Sequence, residues 1–307
     1  MEQNHNRKPL RVVASFTTLP DRYSLLKKSI ESIINPEFPL DAIYLTVPTR
    51  ALRLNKEYPP IPDDISSLCT VIRTEFDYGP IMKIYGALVS ENDPDTIIVT
   101  CDDDMIYDKN LIQKMVIHHN DYPNVAICGT GALIGKGFIF YSMVNSIKTM
   151  RRWNGLTGFS INKEGREIDL IFGYAGVLYK RGFFPEQEQL YDELFRYSVE
   201  NNDIYLNDDI LLSGFLNKNN IKMKIFNDIP DVKCQGSKAP DALSYSYISS
   251  IMKLNDSIDH LKSHGFFQTT EPVSIDDSVI VRIGFAVVIA IIILLLCWGF
   301  YLYLEKV

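Results

Sequence analysis

The residues best suited to chemistry are aspartates. Ile97-Ile98-Val99-Thr100-Cys101-Asp102-Asp103-Asp104 reads as a buried apolar strand that ends in three consecutive carboxylates. If the strand conformation continues, Asp102 and Asp104 lie on one side about 6.6 Å apart and repel by about 2.5 kcal/mol at an effective dielectric of 20. A cation removes that penalty. Oxygen-only ligands in this position suit Mg²⁺ or Mn²⁺, with a phosphate completing the coordination shell; a solvated acidic turn is the plainer reading. A second acidic pair, Asp208-Asp209, follows Asn207 and precedes the apolar Ile210, Leu211, Phe215 and Leu216. There the choice is between a general base held at a helix start and simple complementation of the helix dipole.

Two further clusters could touch a ligand. Gly173-Tyr174-Ala175-Gly176 offers small residues that let backbone approach closely. Asp77-Tyr78-Gly79-Pro80 with Lys83 is a tight turn entering a helix, where free N–H groups and one ammonium could hold a nucleotide, or an ordinary loop.

The elements that must position these residues alternate. Arg11 to Thr17, Ala42 to Val47, Thr70 to Arg73, Thr96 to Cys101 and Val125 to Cys128 are strand-like apolar runs. Between them Leu26, Ile30, Ile33 and Ile34, then Ile81, Ile84, Tyr85 and Leu88, then Leu111, Ile112, Met115 and Val116 recur at helical spacing. Strand alternating with helix predicts an α/β fold with a mostly parallel sheet covered on both faces, and ligands beyond the C-terminal ends of its strands. After Gly129 the pattern changes. It predicts a strand pair around Ile168 to Lys180, a helix from about Asn207 and a strand from Lys222 to Phe226.

Five landmarks in order carry a resemblance. They are Ser15 to Arg22, Asp77-Tyr78-Gly79-Pro80 with Lys83, the Asp102 to Asp104 triplet, Gly173 to Val177, and Asp208-Asp209. Together, over residues 10 to 235, they resemble nucleotide-sugar glycosyltransferases of the GT-A fold, family-2-like, in a branch of algae, bacteria and large DNA viruses. The resemblance implies a Rossmann-like GT-A domain and transfer of a sugar from a nucleotide-sugar donor to an acceptor hydroxyl, with Mn²⁺ or Mg²⁺ as cofactor. It implies that Thr17 and Thr18 contact the nucleotide base or ribose, and that Arg22 and Lys83 reach the diphosphate or base. Asp77 would contact the base, Asp102 the ribose, sugar or metal, and Asp104 the metal, with Asp103 supporting the turn at the donor site. Asp208 and Asp209 match the acceptor-activating acid pair, Asp209 being the base, which implies inversion. Many relatives supply a late histidine as a further metal ligand. The late histidines here, His260 and His264, fall in an expected stem and receive no role. Two alternatives share the acidic clusters: a haloacid-dehalogenase-type phosphatase and a catalytically inactive GT-A-like membrane scaffold. The phosphatase fits less well, because several elements precede the aspartates and Ile106 stands where Thr or Val is usual.

Composition narrows the partners. The chain has 307 residues, 46% apolar and 22% charged, with a net charge of -7, which leaves no electrostatic footprint for nucleic acid. Five irregularly spaced cysteines suggest neither a disulfide framework nor a zinc site. Ile283 to Leu304 contains no charge and no polar residue beyond Gly and Cys; as a helix it spans about 33 Å, enough to cross a bilayer core of about 30 Å. The expected organisation is a glycosyltransferase-like domain over residues 1–240, a stem over 241–278 and a transmembrane anchor over 279–304. No secretory signal precedes the first strand, and only Glu305-Lys306-Val307 follow the block. The expectation is a single-pass tail anchor with the body facing the cytoplasm, acting on a glycan, lipid-linked or protein acceptor. In sealed microsomes added protease should then digest the body and leave the sequon Asn255-Asp256-Ser257 unglycosylated; protection together with a glycan on Asn255 would reverse the orientation.

Overall fold

The computed structural model describes residues 9–134, the strand backbone of 147–149, and residues 165–235 and 256–268. In chain order its main elements are β1 (Val12–Thr17), α1 (Tyr23–Ile33), β2 (Ala42–Pro48), β3 (Thr70–Thr74), α2 (Met82–Ser90) and β4 (Ile97–Thr100). They continue with α3 (Leu111–Asp121), β5 (Val125–Cys128), β6 (Arg166–Ile168), β7 (Val177–Lys180), α4 (Asp208–Lys218) and β8 (Lys222–Ile225).

Eight strands form one sheet in the order β6-β8-β5-β7-β4-β1-β2-β3. β1 is parallel to both β2 and β4, with Val13 opposite Ala42 on one side and Ile98 on the other. β2 is parallel to β3, and β8 to β5. β7 is antiparallel to both of its neighbours, placing Val177 between Thr100 and Cys128; β6 is antiparallel to β8. The protein is therefore α/β with a mostly parallel sheet flanked by helices. The strand pair expected around Ile168 to Lys180 does not pair with itself: β6 goes to the sheet edge and β7 into its middle.

The strands are apolar on both faces because both are covered. Along β1, Val13 joins one core layer while Val12, Ala14 and Phe16 join the other. Ile98 faces the first layer and Ile97 and Val99 the second, as the two-residue period of a strand requires. The second layer is filled by Leu26, Ile30 and Ile33 of α1 and by Leu111, Ile112 and Met115 of α3; the first by Ile84, Ala87 and Leu88 of α2 and by α4. α2 lies close to the sheet because residue 86 is glycine. A Cβ there would sit 2.4 Å from Thr46 Oγ1, which accepts the Gly86 N–H at 3.0 Å.

The chain runs β1, β2, β3 toward one edge and then returns to β4 on the other side of β1. This reversal opens a crevice beyond the C-terminal ends of β1 and β4, the position where open α/β sheets hold ligands. Both Thr17-Thr18 and the aspartate triplet arrive there.

Part of the expected stem belongs to the domain. Residues 256–263 are helical, and Ile258, Leu261, Phe266 and Phe267 are buried in the same layer as α4. Phe266 meets Tyr197 edge-on at 4.9 Å between ring centroids. Among the described residues no helix is long and apolar enough to cross a membrane; the expected anchor over 279–304 lies outside them. Truncation of a fully buried phenylalanine removes transfer energy and leaves a cavity, so Phe266→Ala should lower unfolding stability by about 3–5 kcal/mol. Chemical denaturation against the exposed control Phe76→Ala checks this, and an equally small effect of both would return 256–268 to the stem.

Candidate functional site

β4 stops at Thr100, and Asp103 and Asp104 occupy a turn. The extended geometry that would put Asp102 and Asp104 on one side therefore does not apply, and each carboxylate takes its own direction. The turn is held from several sides. Tyr107 Oη accepts the Asp102 N–H at 2.7 Å and donates to the Tyr174 carbonyl at 3.2 Å. Ser29 Oγ lies 2.8 and 2.6 Å from the carbonyls of Asp103 and Met105, and Gln235 N donates to the Asp104 carbonyl at 2.7 Å. Without these partners the turn's carbonyls would be buried unpaired.

Two cations organise five carboxylates. Lys83, 4% exposed, lies with Nζ 2.8 Å from Asp102 Oδ1, 3.0 Å from Asp208 Oδ2 and 3.7 Å from Asp209 Oδ1. The second cation is Arg22, whose Nη1 lies 3.3 Å from Asp103 Oδ1 and 3.4 Å from Asp104 Oδ2. Thr18 Oγ1 donates to Asp103 Oδ2 at 2.5 Å. The role expected of Lys83 is revised: the ammonium is buried and committed to three aspartates. Burial alone would lower its pKa, but the three carboxylates raise it well above the ordinary value.

The carboxylates shift the other way. Burial raises the Asp103 pKa to about 6 against the opposing pull of Arg22 and Thr18. Burial and then Asp102 raise Asp104. Burial raises Asp208 and Asp209 although Lys83 opposes it. Five acids around two fixed positive charges leave an excess of negative charge in a partly desolvated site.

The acid pair is supplied by the first turn of α4, and Asp209 is not spent on capping. Its Oδ2 accepts the Gly173 N–H at 2.9 Å, while Oδ1 is buried without a hydrogen-bond partner. A Cβ at residue 173 would lie 2.5 Å from both Asp209 Oδ1 and Lys83 Nζ, so any side chain there would push the two charged groups from their present positions. Gly176 is left-handed, at φ 81°, and turns the chain into β7. Beside Asp209 a cavity is lined by Leu170, Ile171, Phe172, Asn207 and Ile210.

Of the anticipated site residues, Asp102, Asp208 and Asp209 meet around Lys83, and Thr18, Asp103 and Asp104 meet at Arg22. The other two stand apart. Thr17 Oγ1 donates to the Thr46 carbonyl at 2.8 Å. The Asp77 carboxylate accepts from Leu52 N at 2.8 Å, Gly79 N at 2.7 Å and Tyr205 Oη at 2.9 Å. Asp77 thus fastens its own turn to the segment entering α4, and Gly79, at φ 80°, leaves room for the Tyr205 carbonyl, which a Cβ would approach to 2.5 Å. Sequence reasoning passes over Ser29, Tyr107, Tyr205 and Gln235. Only Ser29 carries a signal, as a polar residue on the buried face marked by Leu26, Ile30 and Ile33.

The crevice acids are oxygen donors of the kind that Mg²⁺ or Mn²⁺ takes, they outnumber the cations, and Asp209 Oδ1 has Lys83 at 3.7 Å but no hydrogen bond. Asp102, now turned to Lys83, and Asp104, now turned to Arg22, are the two that would hold such an ion, and both would have to turn toward it. No family model matches the chain, and no curated protein matches it.

The Asp103 shift fixes a sign for pH dependence. A carboxyl whose pKa rises on folding keeps a proton that the unfolded chain has lost, so its contribution to stability falls as pH rises from 3.8 to about 6. Relative to the native chain, Asp103→Asn should become more stable across that interval in metal-free buffer. Denaturant midpoints at several pH values test it; a pH-independent difference would contradict the assigned shift.

Proposed function

We propose that the protein is a metal-dependent glycosyltransferase of the GT-A type, moving a sugar from a nucleotide-sugar to an acceptor hydroxyl. The observation that carries this reading is the convergence of the Asp102–Asp104 turn and the Asp208-Asp209 helix start on one crevice at the strand reversal between β1 and β4. Support also comes from the excess of carboxylates over cations, which calls for a further positive charge, and from the open cavity beside Asp209.

In this reading Asp102 and Asp104 hold Mn²⁺ or Mg²⁺, which when bound neutralises the charge that develops on a departing nucleoside diphosphate. Arg22 holds Asp103 and Asp104 in place and opposes the burial that raises their pKa values, and Thr17 and Thr18 border the side where the nucleotide enters. Lys83 holds Asp102 and the acid pair at a fixed separation and is itself withdrawn from the donor. Asp209 takes the proton from the acceptor hydroxyl as the oxygen attacks the anomeric carbon, a role helped by a raised pKa. Attack on the face opposite the departing diphosphate gives inversion. The hydrophobic block 283–304 favours acceptors held at a membrane: a lipid-linked sugar, a glycan or a protein at the cytoplasmic surface.

A thermal-shift screen of nucleoside diphosphates and nucleotide-sugars with Mn²⁺ should find one nucleotide that stabilises the protein, and transfer from its sugar conjugate should stop in chelator. Asp104→Asn should lose metal-dependent donor binding and transfer with the fold intact. Asp209→Asn should cut turnover by about 10² to 10⁴ with donor affinity nearly unchanged. Full activity in chelator would overturn the metal assignment, and unchanged turnover in Asp209→Asn the base.

A further inference from the structure

Apart from the acidic crevice, one more group of side chains has the composition of a metal site. Glu200 ends a short helix (Arg196–Glu200), and His260 and His264 lie four residues apart at the end of the helix 256–263, on one face. Their ligand atoms all lie within 4.8 Å of one another. His260 Nε2 is 4.0 Å and His264 Nε2 3.8 Å from Glu200 Oε2. None of the five crevice aspartates belongs to this group.

Three details distinguish it from a casual ion pair. His264 Nδ1 lies 3.1 Å from the His260 carbonyl, an acceptor only, and 3.2 Å from Ser263 Oγ, so the ring is anchored through Nδ1 and turns Nε2 toward Glu200. His260 Nε2 is buried with no hydrogen-bond partner, an unfavourable state for an imidazole nitrogen unless something else binds it. Tyr197 packs edge-on against the His264 ring at 5.6 Å and fixes its plane.

We infer that Glu200, His260 and His264 form a zinc site with an open fourth position, tying the segment 256–268 to the helix Arg196–Glu200. Two imidazoles and one carboxylate are a zinc donor set, whereas an oxygen-only crevice selects Mg²⁺ or Mn²⁺. Bonds of about 2.0–2.2 Å in a tetrahedron put ligand atoms about 3.4 Å apart. The separations of 3.8 and 4.0 Å to Glu200, and of up to 4.8 Å across the group, close to that with shifts of about 0.5 to 1.5 Å, within reach of side chains roughly one-third exposed. The bound ion would join two pieces of chain some sixty residues apart, next to the point where the chain leaves the described domain.

The test uses the full-length chain, stripped with chelator and kept in excess Mg²⁺ so that oxygen-only sites are filled. Zn²⁺ is titrated against a chromophoric chelator, and Co²⁺ is added separately for its visible spectrum. The native chain and Asp104→Asn should both bind one Zn²⁺, give the intense absorption of four-coordinate Co²⁺ and melt at a higher temperature with Zn²⁺. His264→Ala and Glu200→Gln should weaken Zn²⁺ by at least about tenfold and lose the thermal shift. Both residues are partly exposed, so metal-free melting should be unchanged and separates loss of the site from loss of the fold. Absence of Zn²⁺ binding in the native chain, or equal affinity in His264→Ala, would overturn the site. Loss of binding in Asp104→Asn alone would assign the zinc to the acidic crevice instead.

Discussion

A lysine ammonium taken almost wholly out of water is stable only among carboxylates, and carboxylates brought together out of water are stable only around a cation. Lys83 and the aspartates 102, 208 and 209 meet this mutual requirement across three elements: α2, the turn after β4 and the first turn of α4. Removing either side leaves uncompensated buried charge, typically a loss of 3–5 kcal/mol. The separation of the two acidic clusters is therefore set by a side chain that belongs to neither. Gly173 completes the arrangement by giving Asp209 a backbone N–H and occupying no volume between Asp209 and Lys83.

A second shell of neutral groups does for the turn what Lys83 does for the acids. Tyr107 bridges the Asp102 amide and the Tyr174 carbonyl, so the turn after β4 and the glycine-containing turn before β7 move as one body. Tyr205 ties Asp77 to the approach of α4. The crevice is thus bordered by rigid, mutually braced turns, which favours precise placement of any ligand that enters it.

Much of the fold was legible because burial on both faces leaves an unmistakable mark: runs such as Val12 to Phe16 and Ile97 to Val99 carry no charge, and the single hydroxyl among them, Ser15, is small enough to be buried with the rest. The aspartates at the end of β4 stood out for the same reason, as charge directly after such a run. Their geometry was not legible, since nothing local says that the strand ends at Thr100. Lys83 reads from the sequence as an ammonium free to meet a nucleotide; its burial depends on acids up to 126 residues further along the chain. The insertion of β7 between β4 and β5 is likewise a non-local fact. The sparse Ile258, Leu261, Phe266 and Phe267 carry too weak a period to reveal that they enter the core.

β4 and β5 never touch along their edges; β7, running against both, is the seam between them. A sheet joined in this way cannot zip outward from one nucleus of neighbouring strands. The four strands β4-β1-β2-β3 can assemble from the first hundred residues, but β5 and β8 attach to them only after residues 177–180 have threaded into the gap. Contacts so distant in sequence slow folding. During synthesis the exposed edge of β4 waits unpaired while some eighty further residues emerge, an interval in which it is open to pairing with a second chain. The crevice, whose acid pair arrives later still on α4, is among the last parts of the molecule to close.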